Sequence, residues 1–200
     1  SAYAGGGVYN YYASPEIDGC MFDGNSTSGS DKGGGIYNNN SNPIITDSVF
    51  THNSAQYNGG GVFDYESSSS FSGCKFTVNT TAYGGGGGIS LENSTSTVTN
   101  CIFNENSSRY GGGIALYRSS PVINNSLFNG NTAEEYGGGM SIDYLSNSVI
   151  TNCTYYQNSA ERGGGIDDRY GVSKITNCIF WNNAANIPNK DIYHDTSVPS

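Results

Sequence analysis

Positive charge is what this chain most lacks. Its eight lysines and arginines face seventeen acids, leaving a formal net charge of −9 over 200 residues. So few cations cannot neutralise a nucleic-acid backbone, and nucleic acid is excluded as a partner. No apolar run approaches the roughly 20 residues of a membrane-spanning helix, so no membrane insertion is expected. Only 35% of the residues are apolar and 12% charged, against about half and a quarter in ordinary soluble domains. Such poverty in core-forming residues often marks disorder, but disordered chains are also poor in aromatics, and here aromatics reach 12%. Histidines number two, His52 and His194, far apart in the chain and outside any ligand-like cluster. The acids are scattered, with no convergence of oxygens of the kind calcium needs. Neither a metal nor a cofactor is expected. The chain opens on Ser1 without Met or a signal segment and is read as a mature or excised piece.

What the sequence has instead is glycine, tyrosine, asparagine and serine in strict repetition. A Gly-Gly-Gly-apolar block recurs at 5–8, 33–36, 59–62, 86–89, 111–114, 137–140 and 163–166, at intervals of 25 to 28 residues. A Cys/Ser-x-Phe/Tyr-x-x-Asn block follows each one, at 20–25, 48–53, 74–79, 101–106, 126–131, 153–158 and 178–183. Three residues before each Cys or Ser lies another apolar position: Ile17, Ile45, Phe71, Val98, Ile123, Ile150 and Ile175. A period of this length maintained in three columns is the mark of a solenoid. Each apolar patch is short, alternates two residues apart and is bounded by Gly, Asn, Ser or Pro, which is the pattern of strands rather than helices.

The fold expected is all-β: a right-handed, single-stranded parallel β-helix, one domain over 1–200. Seven coils of about 26 residues start near 5, 33, 59, 86, 111, 137 and 163, and a partial eighth starts near 189. Three strands per coil would give a triangular cross-section, and the right hand follows from the chirality of parallel strand connections. Glycine at one corner, and Asn100, Asn125, Asn152 and Asn177 at another, supply left-handed backbone. The Phe column is expected to stack inside, and the Asn column from Asn25 to Asn183 to point inward as a hydrogen-bonded ladder. Cys20, Cys74, Cys101, Cys153 and Cys178 share one column with Ser48 and Ser126 and act as small buried residues. Strand stacking holds neighbouring members about 4.8 Å apart, beyond the separation a disulfide favours, so free thiols are expected.

The glycine and Phe-x-x-Asn blocks resemble the repeats of polymorphic outer-membrane-protein-type adhesins and related β-helix surface proteins, over nearly the whole chain from Gly5 to about Tyr193. The resemblance implies an extracellular or cell-surface location and an adhesive or fibre-forming role without catalysis. The same fold also carries polysaccharide-degrading enzymes, whose His-Gly and Arg-x-Lys blocks are absent. If catalysis occurs, paired carboxylates must supply it, and the candidates are Asp167, Asp168, Asp143 and Glu92. Asp167 and Asp168 are adjacent on a strand and point to opposite faces, so they are not expected to cooperate. For glycan or partner binding the candidates are Tyr9, Tyr37 and Phe63 in the outward column after the glycines, and Tyr11, Tyr65 and Tyr117 two residues on. Among the Asn-x-Ser/Thr sequons, Asn39, Asn93 and Asn124 are the candidates for glycosylation; Asn25, Asn79 and Asn106 belong to the inward ladder. Met21, Val49, Lys75, Ile102, Leu127, Thr154 and Ile179 form an outward, mostly apolar column, expected to be covered by the protein's own loops or by lateral contact with another chain, and the coils at both ends are incomplete. Other copies of the chain stacked end to end are therefore expected partners, beside surface glycans or a host or cell-surface partner. A threonine column at Thr46, Thr99, Thr151 and Thr176 is too interrupted for an ice-matching array.

Overall fold

The computed structural model describes residues 5–187 and 190–195. Within them every strand is parallel to its neighbours and no helix forms. Four sheets run the length of the solenoid, where three were expected. S1 holds the eight strands that follow the glycine blocks, from Val8–Tyr11 to Ile192–Asp195; S2 runs from Glu16–Asp18 to Lys174–Thr176 and S3 from Met21–Asp23 to Ile179–Trp181, with seven strands each. S4 has six, from Ser54–Ala55 to Ala184–Ala185. S4 escaped the sequence reading because its strands are mostly two residues of Ser, Thr or Ala, with no apolar alternation to find. The last S1 strand pairs Ile192 with Ile166, which is the start of the partial eighth coil.

The glycine block turns from S4 into S1, and each of its three residues meets a different steric demand. Gly86 has φ of +70°, left-handed backbone that a side chain strains. A Cβ on Gly87 would lie 2.6 Å from the carbonyl oxygen of Gly112, and one on Gly88 would lie 2.9 Å from Cδ1 of Phe103. The block thus brings coil against coil and lets backbone lie on the edge of the phenylalanine stack. That stack runs unbroken from Phe22 to Phe180, with centroids 4.5–4.9 Å apart and planes within 6°. The coil spacing sets this near-eclipsed geometry, since parallel strands repeat at about 4.8 Å.

At the next corner the asparagine column points inward, as expected. Asn53 shows the pattern: its Nδ2 donates to the Phe22 carbonyl of the preceding coil (2.8 Å) and to Asn79 Oδ1 of the following one (2.9 Å). Its own backbone N–H also donates to Asn79 Oδ1 (3.0 Å). Each amide therefore ties three coils, and Asp191 Oδ1 accepts from the final rung, Asn183 (3.0 Å).

Two further ladders were not anticipated. Ser41, Ser67, Ser94, Ser119 and Ser146 stand buried after S1, each hydroxyl accepting from the backbone N–H one coil earlier at 3.0–3.2 Å. Inside S1, Asn10 donates to Asn38 (2.8 Å), and Asn38 to Oδ1 of the fully buried Asp64 (2.8 Å), whose Oδ2 accepts from Ser96 (2.8 Å). All five thiols are free, with Cys74, Cys101 and Cys153 buried but Cys20 exposed in the first coil. Burial pushes the Cys153 thiol up to about 11, so it stays protonated.

Two stability changes follow. Tyr155 occupies the phenylalanine column fully buried, and its hydroxyl finds no hydrogen-bond partner among the described residues. Tyr155→Phe should raise unfolding stability by about 1 kcal/mol in denaturant titration, the hydroxyl's desolvation being removed without loss of ring packing. Burial raises the Asp64 pKa above its ordinary value, against the lowering effect of its hydrogen bonds from Asn38, Ser69 and Ser96. The folded state therefore holds that proton more tightly than the unfolded chain, so stability is present below about pH 4 and lost as pH rises through the raised pKa. Asp64→Asn should flatten that part of the stability–pH curve and give the more stable protein at pH 7.

Candidate functional site

The outward column of S1 reads Tyr9, Tyr37, Phe63, Ser90, Ala115, Ser141, Asp167, Tyr193 along the solenoid. Large rings fill the first three coils and small residues the next three. Where the column shrinks, a groove of about 500 Å³ opens, floored by Ser90, Ala115 and Ser141 and by Glu92, Tyr117 and Asp143 two residues further along each strand. The aromatic members of this column were visible in the sequence; the small ones carried the signal for the groove and were passed over.

S4 supplies the opposite wall. Its strands Ser107–Tyr110 and Thr132–Tyr136 are longer than the rest, and the register shifts between Ser108 and Tyr110. The second strand has one extra residue, the signature of a β-bulge, which re-aims the side chains beyond it. Tyr136 comes to lie over Tyr110, with centroids 5.5 Å apart and planes at 17°. Glu135 meets Arg109 at 2.6 Å. In sequence the bulge is one added residue between Asn131 and Gly137, compared with the gap from Asn106 to Gly111.

Every carboxylate lining the groove has a cationic partner. Glu92 is held by Lys32 (3.2 Å), Glu135 by Arg109 and Asp143 by Arg169 (3.0 Å). At the far end Asp167, fully buried, is gripped by Arg162 (2.6 Å) and Arg169 (3.0 Å). Both guanidiniums stack on Tyr136, at 4.3 and 4.0 Å from its centroid, and Arg162 also lies 4.3 Å from the ring of Tyr193. Burial pushes the Asp167 carboxyl upward, while Arg162 and Arg169 pull it back down. A chain with eight basic residues thus commits four of them to one groove and its end wall.

The catalytic candidates do not converge as a pair. Asp168 points inward, away from Asp167, and meets His194 Nδ1 at 3.3 Å; burial raises its pKa and His194 lowers it. Glu92 and Asp143 do face the same groove two coils apart, about 10 Å along the backbone, near the wide end of the separations that inverting glycosidases use. Each is clamped by its cation, Glu92 by Lys32 and Asp143 by Arg169.

Among the binding candidates, Tyr117 lines the groove. Tyr9 and Tyr37 continue the same face toward the first coil, with centroids 5.1 Å apart, and Tyr11 is exposed beside them. Tyr65 is half-buried. Phe63 is a correction: it is fully buried and offers no stacking face, because the Lys32 ammonium, anchored by Glu92, lies 4.4 Å above its ring.

Of the sequons, Asn93 is exposed at a left-handed corner, whereas Asn39 and Asn124 are half-buried. The Asn39 amide already donates to the Tyr37 hydroxyl (3.3 Å). His52 pairs with Asp23 on an exposed corner (3.3 Å), and no metal-binding group forms among the described residues.

The end-wall cluster gives a stability test. Arg162→Met leaves Asp167 buried with one cation and should cost about 3 kcal/mol. Arg162→Met combined with Asp167→Leu should recover most of that loss in thermal unfolding.

The family model described as right handed beta helix region matches residues 2–138. No curated protein matches the chain.

Proposed function

The chain belongs to the right-handed β-helix family, a fold that by itself leaves function to the site, and we propose that it is a non-catalytic, surface-displayed β-helix whose S1 groove binds a short stretch of saccharide chain. The observation carrying this reading is the groove itself: a trough with small residues along its floor, flanked by Tyr110, Tyr117 and Tyr136, with all its carboxylates ion-paired inside the protein. Sugars present apolar faces that stack on aromatic rings, while paired carboxylates and guanidiniums offer fixed acceptors and donors to hydroxyls. Internal neutralisation favours an uncharged ligand, which displaces no counter-charge on entry. The volume lies within the range of small-ligand sites. A surface location and an adhesive role rest on the likeness of the repeats to surface adhesins. The stiffness of a ladder-bonded solenoid suits holding such a groove away from a cell.

The alternative, polysaccharide cleavage, draws on Glu92 and Asp143 facing one groove. The two readings separate in one experiment, with neutral linear oligosaccharides of three to five units titrated calorimetrically and assayed for new reducing ends and unsaturated products. Binding without cleavage is expected, weakened about tenfold in Tyr110→Ala and in Tyr117→Ala. Product formation that disappears in Asp143→Asn while the fold survives would make the protein an enzyme. Absence of binding to every neutral probe, with binding to uronate or sulfated chains, would overturn the charge argument.

A further inference from the structure

In each coil S2 follows S1 beyond one corner, and its outer face is a second surface separate from the groove. Its first outward column reads Glu16, Ile44, Ser70, Thr97, Val122, Val149, Lys174, one residue per coil. Its second reads Asp18, Thr46, Ser72, Thr99, Asn124, Thr151, Thr176. On a protein of net charge −9, five consecutive coils of this face carry no charge at all. Charge appears only at the ends, negative in the first coil and positive in the seventh. Ile44, Val122 and Val149 are 52%, 48% and 40% exposed. Neither Glu16 nor Lys174 forms an ion pair among the described residues.

The pattern is self-complementary under reversal. Place a two-fold axis along the Thr97–Thr99 strand, in the plane of contact, and each column meets itself running the opposite way. Glu16 then faces Lys174 of the second copy, Ile44 faces Val149, Ser70 faces Val122 and Thr97 faces Thr97, with the reciprocal pairs on the other side of the axis. Asp18 falls opposite Thr176 and beside that same lysine. No like charges are brought together.

We propose that S2 is the contact face of a lateral, antiparallel dimer of this chain, its register set by the two symmetry-related Glu16–Lys174 pairs. Uncharged centres with charged ends are the usual anatomy of a protein interface, and terminal charge pairs fix register more than they add affinity. The face is about 29 Å long and one short strand wide, so the pair buries well under the roughly 1,200 Å² of a standard interface and is a weak, reversible one. Head-to-tail stacking would also bring Lys174 near Glu16 of a neighbour, but it leaves the middle of S2 uncovered and does not close at two subunits.

Sedimentation velocity and equilibrium on the whole chain, from about 20 μM to 1 mM at near-physiological salt, test this. A monomer–dimer equilibrium is expected. Glu16→Lys and Lys174→Glu should each weaken it about tenfold, and the double swap should restore it to within about twofold. Val122→Asp, which alters only the middle of the face, should abolish it while circular dichroism and melting show an intact fold. The proposal is overturned by a monomer at every concentration, which leaves the face to a different partner; by open-ended growth; by a double swap that fails to rescue; or by association indifferent to Val122→Asp.

Discussion

At the corners that follow S1, S2 and S3 the sheet ladder is interrupted, and the residue after the bend has a backbone N–H with no strand to bond to. Where the column carries Ser or Asn one coil on, its side-chain oxygen accepts that bond. Ala13 N–H donates to Ser41 Oγ, Cys20 to Ser48 Oγ and Asn25 to Asn53 Oδ1, at 3.0–3.1 Å. The residue immediately before the bonded position is left-handed at corner after corner, as at Asn40, Asp47 and His52. A buried donor left unpaired costs about 1–3 kcal/mol, and a solenoid repeats the problem in every coil. The corner ladders therefore dictate which residues occupy the corners, and through them the vertical alignment that stacks the phenylalanines and isoleucines between corners.

With alignment fixed by the corners, the outward columns are free to vary from coil to coil, and function is written in that variation. One column changes from aromatic to small and back, and a groove opens over three coils. Another stays uncharged for five coils and takes opposite signs at its two ends. Neither feature needs a change in backbone path; the single exception is the one-residue bulge at Glu134–Glu135, which builds the groove's far wall. The scarce cations are spent on the groove, where they silence carboxylates that would otherwise add to an already large negative charge.

The repeat was legible from sequence because its columns are chemically uniform. Glycine triplets, the phenylalanine stack and the asparagine ladder each recur at nearly constant spacing, and all three lie where the sequence put them. The serine ladder recurs just as regularly, five residues after the apolar end of the glycine block at Ser41, Ser67, Ser94 and Ser119, but serine is so common here that the column did not stand out. The fourth sheet was illegible for a different reason. Its strands are made by the pairing of Ser, Thr and Ala backbones across coils, and such residues have no intrinsic strand pattern.

Sequence alone determined the parallel solenoid, its period, its inward columns and the opposition of Asp167 to Asp168, because each follows from the two-residue alternation of a strand and a repeat that admits one register. What only the tertiary structure decided is which charges meet. Arg162 and Arg169 converge on Asp167, Lys32 covers Phe63 on its way to Glu92, and Arg109 reaches Glu135 across the bulge. These contacts join residues 2 to 60 positions apart through long flexible side chains. Their partners depend on where a corner turns and how far an arm reaches, and no periodicity encodes either.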